Sequence, residues 1–340
     1  MLSTIFSGEE MQEGQVYTFL ETEKLVSDFE YILKKYEINI ESGSELERLC
    51  LNITDIVEQH VKPHLRNSKV DIRPYFRELI GLQDLMVKIV KSADNPKFST
   101  ILPYLKKLNV SSPLQNIKTS VLNQENNRIF ELYTACLCLN LDIDEISIDN
   151  PDHPQGDNPD VIVKFNGKRW GLGCKVLHSS NPQTILQNLE KAVEQIEKSE
   201  SEIGIPVINT KNIIEHDKLW PIINESDFAN GEEPIFGAFL DRNKPISIIK
   251  NFVDDLYLDL IESISPTILQ KLFIGKKSQP GCLVYSPTVT SVVQNGIPIL
   301  HRLNILNLLP FDKITDECGF LLNQLNHQLQ QATRIVDKLR

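Results

Sequence analysis

The chain has 340 residues, 41% of them hydrophobic and 24% charged, with a net charge of −11. That length points to about two domains, and that composition excludes a wholly disordered chain, a collagen and a disulfide-stapled miniprotein. The acid excess excludes tight coating of nucleic acid unless a metal ion, a local basic patch or a partner assists, because coating rests on many Lys and Arg contacts to phosphate.

No stretch approaches the ~18 uninterrupted apolar residues of a membrane span. The first ten residues lack a basic segment followed by an apolar one, so no signal peptide is expected. The six cysteines contain no CxxC pair, and Cys136 and Cys138 fall in an apolar helical stretch. They read as reduced core thiols of a cytoplasmic protein.

In chain order, residues 1–118 read as helices. Residues 16–36 carry Leu20, Leu25, Phe29, Ile32 and Leu33 at helical spacing, and residues 44–61 follow the break at Gly43. Residues 72–90 form a third helix with Pro74 in its first turn, and 98–108 a shorter piece. This helical N-terminal region carries no chemistry that the sequence reveals.

Residues 124–141 are a further helix, with Glu131 in its middle. The period then changes from 3.6 to 2. A short strand at 146–148 and a loop rich in Pro, Gly, Asn and Asp (150–158) precede two β-rich runs, 160–165 and 168–177, separated by Asn166-Gly167. Asn-Gly between such runs favours a two-residue type I′ hairpin turn. A helix over 183–199, a strand over 205–209, one or two helices over 246–274 broken at Ser265-Pro266, strands at 281–286 and 298–306, and a last helix over 314–339 complete the chain.

The turn fixes the hairpin register. With Phe165 opposite Lys168, Asp160 stands opposite Gly173, and alternation sorts the side chains. Val161, Val163, Phe165, Trp170, Leu172, Cys174 and Val176 share a core face. Asp160, Ile162, Lys164, Arg169, Gly171, Gly173 and Lys175 share the other. A slip of one residue would put Val161 and Val163 in water, so the register is well specified. Without further context, Asp160 and Lys175 are equally a surface ion pair worth under ~1 kcal/mol.

This order of a helix with Glu131, a strand opening Pro159-Asp160, an Asn-Gly hairpin, a strand ending Gly173-Cys174-Lys175, a helix and a strand resembles the PD-(D/E)xK nuclease superfamily over residues 124–210. The resemblance implies a restriction-endonuclease-like α/β (α+β) fold, a mixed sheet flanked by helices, for residues 119–340, with 211–340 completing or extending it. It further implies Asp160 as metal ligand and catalytic residue, Lys175 as the catalytic lysine, Glu131 as the helix carboxylate, and the main-chain carbonyl of Cys174 as a further ligand. Hard oxygen donors suit Mg²⁺ or Mn²⁺, which offsets charge on an attacked phosphate.

Gly173 stands where that family carries Asp or Glu. Either the acid has migrated to the following helix, where Glu190 and Glu194 lie four apart and Gly173 leaves room for the reach, or the chain is a catalytically inactive binding or assembly subunit. Gln195 resembles the helix glutamine of some exonuclease-like members, although Ser199 replaces the Tyr that follows it there. Asp157 is a second loop acid, better suited to a turn.

Other motifs are weaker. His60 and His64 are four apart but flank Pro63. His178 is three residues past Lys175, within reach of a phosphate, or an ordinary strand-end histidine. His153, His216 and His301 lack partners at metal-ligand spacing, and no P-loop, GxSxG or GxGxxG is present.

Residues 126–215 hold 14 acidic and 8 basic residues, a net of −6, so the candidate core is the acidic part of the chain. DNA contact is expected from Lys164, Lys168 and Arg169, with Lys106, Lys107, Lys276 and Lys277 from the flanks. The expectation is a metal-dependent endonuclease cutting DNA, of the kind used in bacterial restriction and phage defence. It binds no membrane, and its helical regions are available to a second copy or a partner protein.

Overall fold

The computed structural model describes residues 16–61, 71, 73–120, 125–149, 151, 160–220, 237–330 and 334–335. His64, His153, Asp157 and Pro159 lie outside them, as does the side chain of His60.

Asn166 and Gly167 both take positive φ (52° and 75°), the backbone that a type I′ turn demands. They join β3 (Val161–Phe165) to β4 (Lys168–Val176) in the expected register, Val161 opposite Leu172 and Phe165 opposite Lys168. Around this hairpin the described residues form an eight-stranded mixed sheet flanked by helices on both faces. Its strands are β1 (Val16–Tyr17), β2 (Glu145–Ile148), β3, β4, β5 (Ile203–Asn209), β6 (Gly281–Gln294), β7 (Ile297–Pro310) and β8 (Arg334–Ile335), in the order β1-β8-β7-β6-β5-β4-β3-β2. The strands β4, β5 and β6 run parallel; β2, β3 and β4 form an antiparallel meander, as do β6, β7 and β8. Strands from beyond residue 215 therefore complete the same sheet.

The helices are α1 (Phe19–Lys35), α2 (Glu45–Val61), α3 (Arg73–Ser92), α4 (Leu102–Lys106), α5 (Glu125–Leu139), α6 (Pro182–Lys198), α7 (Asn243–Ser263), α8 (Pro266–Lys271) and α9 (Asp316–Gln330). Alternation along the buried strands splits the apolar side chains between two cores. Leu283 and Tyr285 of β6 join α1, α2, α3, α5 and α9 on one face. Cys282 and Val284 join α6, α7 and α8 on the other. The first core runs without a break from Leu25 and Phe29, through Leu114, into Val161 and Leu172.

Two expectations need correcting. The last helix does not reach residue 339; it ends at Gln330, and Arg334–Ile335 forms β8 against β7. Its final carbonyls are taken by other elements: Lys88 Nζ donates to Gln328 O (2.6 Å) and Leu329 O (3.1 Å), and Arg302 Nη2 to Leu329 O (2.6 Å). These side chains satisfy carbonyls that a helix end leaves without partners.

The strands expected at 281–286 and 298–306 are instead one hairpin of two 14-residue strands, turned by Asn295-Gly296 with φ 53° and 75°. Thr288 and Thr290 disguise it, since both are polar yet fully buried. His216 Nδ1 bonds Thr288 (3.0 Å), and Thr290 donates to the carbonyl of Leu219. Those partners lie some 70 residues upstream, out of reach of local pattern.

Candidate functional site

The hairpin, α5 and α6 bring four candidate side chains together: Asp160, Lys175, Glu131 and Gln195. Asp160 sits one residue before β3, where the backbone leaves the ladder and the carboxylate turns across the end of β4. Its Oδ2 accepts the Cys174 amide (2.6 Å) and Lys175 Nζ (3.3 Å). Lys175 Nζ also donates to the Cys174 carbonyl (3.0 Å) and to Gln195 Oε1 on α6 (2.6 Å). The ammonium is thus held by three oxygens from β4, α6 and the start of β3. Asp160 is buried and Lys175 half-buried, so this pair is not the solvent-exposed contact that costs little to lose.

Glu131 enters from α5, on the opposite face of the sheet, and is 5% exposed. Burial, and then the Asp160 charge, push its carboxyl up to about 8; Arg128, Tyr104 and Lys175 oppose this. Burial likewise raises Asp160, against the pull of Lys175 and the Cys174 amide. Two groups reach Glu131 Oε2, the Arg128 guanidinium (Nη1 at 3.5 Å), which favours the ionised form, and the Tyr104 hydroxyl. The Tyr104 hydroxyl lies 2.8 Å from Glu131 Oε2 and 2.7 Å from the main-chain carbonyl of Asp149. A phenol has one proton and a carbonyl only accepts. Both contacts are satisfied when Tyr104 donates to Asp149 O and a protonated Glu131 donates to Tyr104.

Gly173 does not leave the room expected of it. A Cβ built there would meet Ala192 Cβ at 2.9 Å and Ala192 Cα and O at 3.2 Å. α6 lies directly on β4 at the position where an acid was expected. The migrated acid is also absent: Glu190 and Glu194 are exposed, and Glu194 pairs with Lys198 at 3.2 Å. Glu190 lies five residues before Gln195, about 140° around the helix from the residue that does touch Lys175. The α6 contribution is an amide, and Glu190 is removed from the site.

Cys174 contributes its main chain; its buried thiol is raised by burial and faces the first core. Tyr104 was missed by the sequence reading, because nothing local to residue 104 signals that the N-terminal region reaches Glu131.

The donor set is two buried carboxylates, Asp160 and Glu131, and the Cys174 carbonyl. It fits a hard divalent cation in kind: the two carboxyl groups repel when both are ionised, which a cation held by them would relieve. It is a sparse set. Among the described residues no group of three or more His, Cys, Asp or Glu side chains is placed to hold a metal.

The bases expected to meet DNA are largely engaged. Lys164 and Arg169 pair with Glu145 (3.4 and 3.3 Å), Lys168 with Glu317 (2.7 Å) and Lys107 with Glu125 (3.6 Å). Lys277 donates to the carbonyls of Glu197 and Ser199. Among the described residues no helix is long and apolar enough to cross a membrane. Comparison with protein-family models, with curated proteins and with solved structures yields no match.

Proposed function

We propose that the chain is a metal-dependent phosphodiesterase of PD-(D/E)xK type, acting on DNA. The observation that carries this reading is the convergence of Asp160, Glu131, Lys175 and Gln195 from four separate elements onto the open end of the antiparallel β3–β4 hairpin. Asp160, Glu131 and the Cys174 carbonyl would hold a divalent cation. When bound, Mg²⁺ or Mn²⁺ supplies positive charge at the attacked phosphate and acidifies bound water.

The protein's own groups have defined roles. Gln195 anchors Lys175, whose three N–H donors are all taken in this arrangement; once Asp160 and the Cys174 carbonyl hold a cation, donors of Lys175 are released to orient a water for attack. Loss of the Glu131 proton is a prerequisite for Glu131 to serve as a ligand, because a metal-binding carboxyl must be deprotonated. Tyr104 fixes where that carboxyl points. DNA as substrate follows from the resemblance alone.

Purified protein with Mg²⁺ or Mn²⁺ is expected to nick or linearise plasmid, and Asp160→Ala and Lys175→Ala to abolish this. Undiminished cutting by either variant would sink the site assignment.

A second reading, a catalytically inactive subunit that binds nucleic acid or a partner protein, has its own support. Ala192 fills the space over Gly173, and the Lys175 ammonium already satisfies Asp160 Oδ2 and the Cys174 carbonyl. It predicts no cleavage with any divalent metal.

A further inference from the structure

The carboxyl ends of the parallel strands β4 and β5 carry a second polar cluster, next to the candidate site but not part of it. Ligands of open α/β sheets bind outside such strand ends. Here the end residues are His178, Asn209, Thr210, Lys211 and Asn212, met by residues 114–119 from the N-terminal region.

Two hydrogen-bond relays cross this junction, and each starts from a main-chain amide, which can only donate. In the first, the Thr119 amide donates to Asn212 Oδ1 (2.7 Å), which fixes the orientation of that side chain; Asn212 Nδ2 then donates to His178 Nδ1 (3.0 Å). His178 Nδ1 is therefore an acceptor, and the ring proton sits on Nε2. In the second, the Lys211 amide donates to Asn209 Oδ1 (2.9 Å), and Asn209 Nδ2 donates to Gln115 Oε1 (2.9 Å). The free end of Gln115 is then its Nε2, buried and without an acceptor among the described residues. His178 Nε2 likewise has no hydrogen-bond partner among them.

The second relay thus ends on a buried N–H with no acceptor among the described residues, and the first on a ring N–H of half-buried His178, open to solvent or a ligand. Lys211, whose main-chain amide opens the second relay, is fully buried, and its Nζ donates to the Leu114 carbonyl (3.0 Å). Burial lowers the Lys211 amine to about 7, opposed only by distant Glu45, whose own carboxylate accepts from Ser112 (2.9 Å). Among the described residues no carboxylate bonds Gln115 Nε2, His178 Nε2 or Lys211 Nζ. A buried lysine that burial drives toward its neutral form and a buried amide N–H without an acceptor would both be better satisfied beside an anion.

We propose that this cluster is a phosphate subsite, in which His178 Nε2–H contacts a backbone phosphate of nucleic acid flanking the one at Lys175, with the Gln115 amide and Lys211, whose charged form the bound anion favours, behind it. The inference rests on the nucleic-acid reading above and names further groups that hold the substrate, since five of the seven expected surface bases already have partners. His178 is half-buried at the end of the strand that carries Lys175 and is the member placed to touch the ligand.

The test is binding without metal, so that it is independent of cleavage. In EDTA, a fluorescein-labelled duplex oligonucleotide is titrated with wild type, His178→Ala and His178→Gln, the last keeping an N–H where Nε2 stood. His178→Ala is expected to weaken binding about tenfold, ~1.4 kcal/mol, with unchanged thermal unfolding, and His178→Gln to stay within about twofold of wild type. In ¹⁵N-histidine spectra, the oligonucleotide is expected to shift the His178 Nε2 resonance. Equal binding by His178→Ala, or a His178 resonance that responds to inorganic phosphate and not to the duplex, would overturn the proposal. Metal-dependent cutting left intact in His178→Ala would overturn the subsite while leaving the cleavage site standing.

Discussion

Gly173 is the position at which stability and lost chemistry meet, and Gly173→Ala tests the geometry there. A Cβ would lie 2.9 Å from Ala192 Cβ and 3.2 Å from Ala192 Cα and O, against the 3.5–4.0 Å of optimal carbon contacts. Two of the three clashing atoms belong to the α6 backbone, so relief requires the helix to lift from β4. Overpacking of this kind costs about 1–3 kcal/mol, while replacing a strand glycine returns roughly 0.4–1 kcal/mol through the unfolded chain.

The expected net loss is about 1–2 kcal/mol. Ala192→Gly removes the closest contact and by itself costs up to about 1 kcal/mol of helix propensity. In the double variant the two losses should fall short of their sum by about 1 kcal/mol, a coupling read from urea midpoints at constant m. Gly173→Ala as stable as wild type, or strictly additive losses, would refute the close approach of α6, and with it the account of why no acid stands at 173.

The remaining predictions concern charge. The Glu131 carboxyl is raised in the folded state, so the folded protein binds the extra proton and this residue's contribution to stability falls as pH rises from about 4.5 toward 8; Glu131→Gln should flatten that slope in urea titrations across the window. Lys88 and Lys211 are both lowered to about 7 by burial. The unfolded chain therefore binds more protons between about 7 and 10.5, and stability should rise with pH there; Lys211→Met should reduce the rise. Lys175→Ala leaves the Asp160 carboxylate buried without its cation, which costs about 3–5 kcal/mol, so it should lower the urea midpoint more than Asp160→Asn does.

The hairpin was legible because its signal is local. Asn166-Gly167 sets the turn, and alternation around it leaves one register that keeps Val161, Val163 and Trp170 from water. Asp160, Gly173 and Lys175 could be placed together from the sequence for the same reason. The same Asn-Gly signal at 295–296 was not enough, because the polar residues of β6 look solvent-facing until residues 216–219 are seen to bond them.

Glu190 shows the limit of helical spacing. Four residues do set Glu190 and Glu194 on one face of α6, but which face meets β4 is decided by the apolar stripe of Ile185, Leu189, Ala192 and Ile196, and Gln195 rather than Glu190 flanks it on the site side. Tyr104 and the two relays at His178 and Gln115 join segments far apart in the chain, and spacing carries no trace of them.

Manganese binding tests the central claim most directly. Mn²⁺ titrated into the protein and followed by electron paramagnetic resonance should lose free-ion signal to one site per chain, more tightly at pH 8.5 than at pH 6 because Glu131 must shed its proton, and Asp160→Asn should abolish the site. A wild-type protein that leaves the Mn²⁺ signal unchanged at both pH values would contradict the account and leave the site to its own side-chain cations, Lys175 and Arg128.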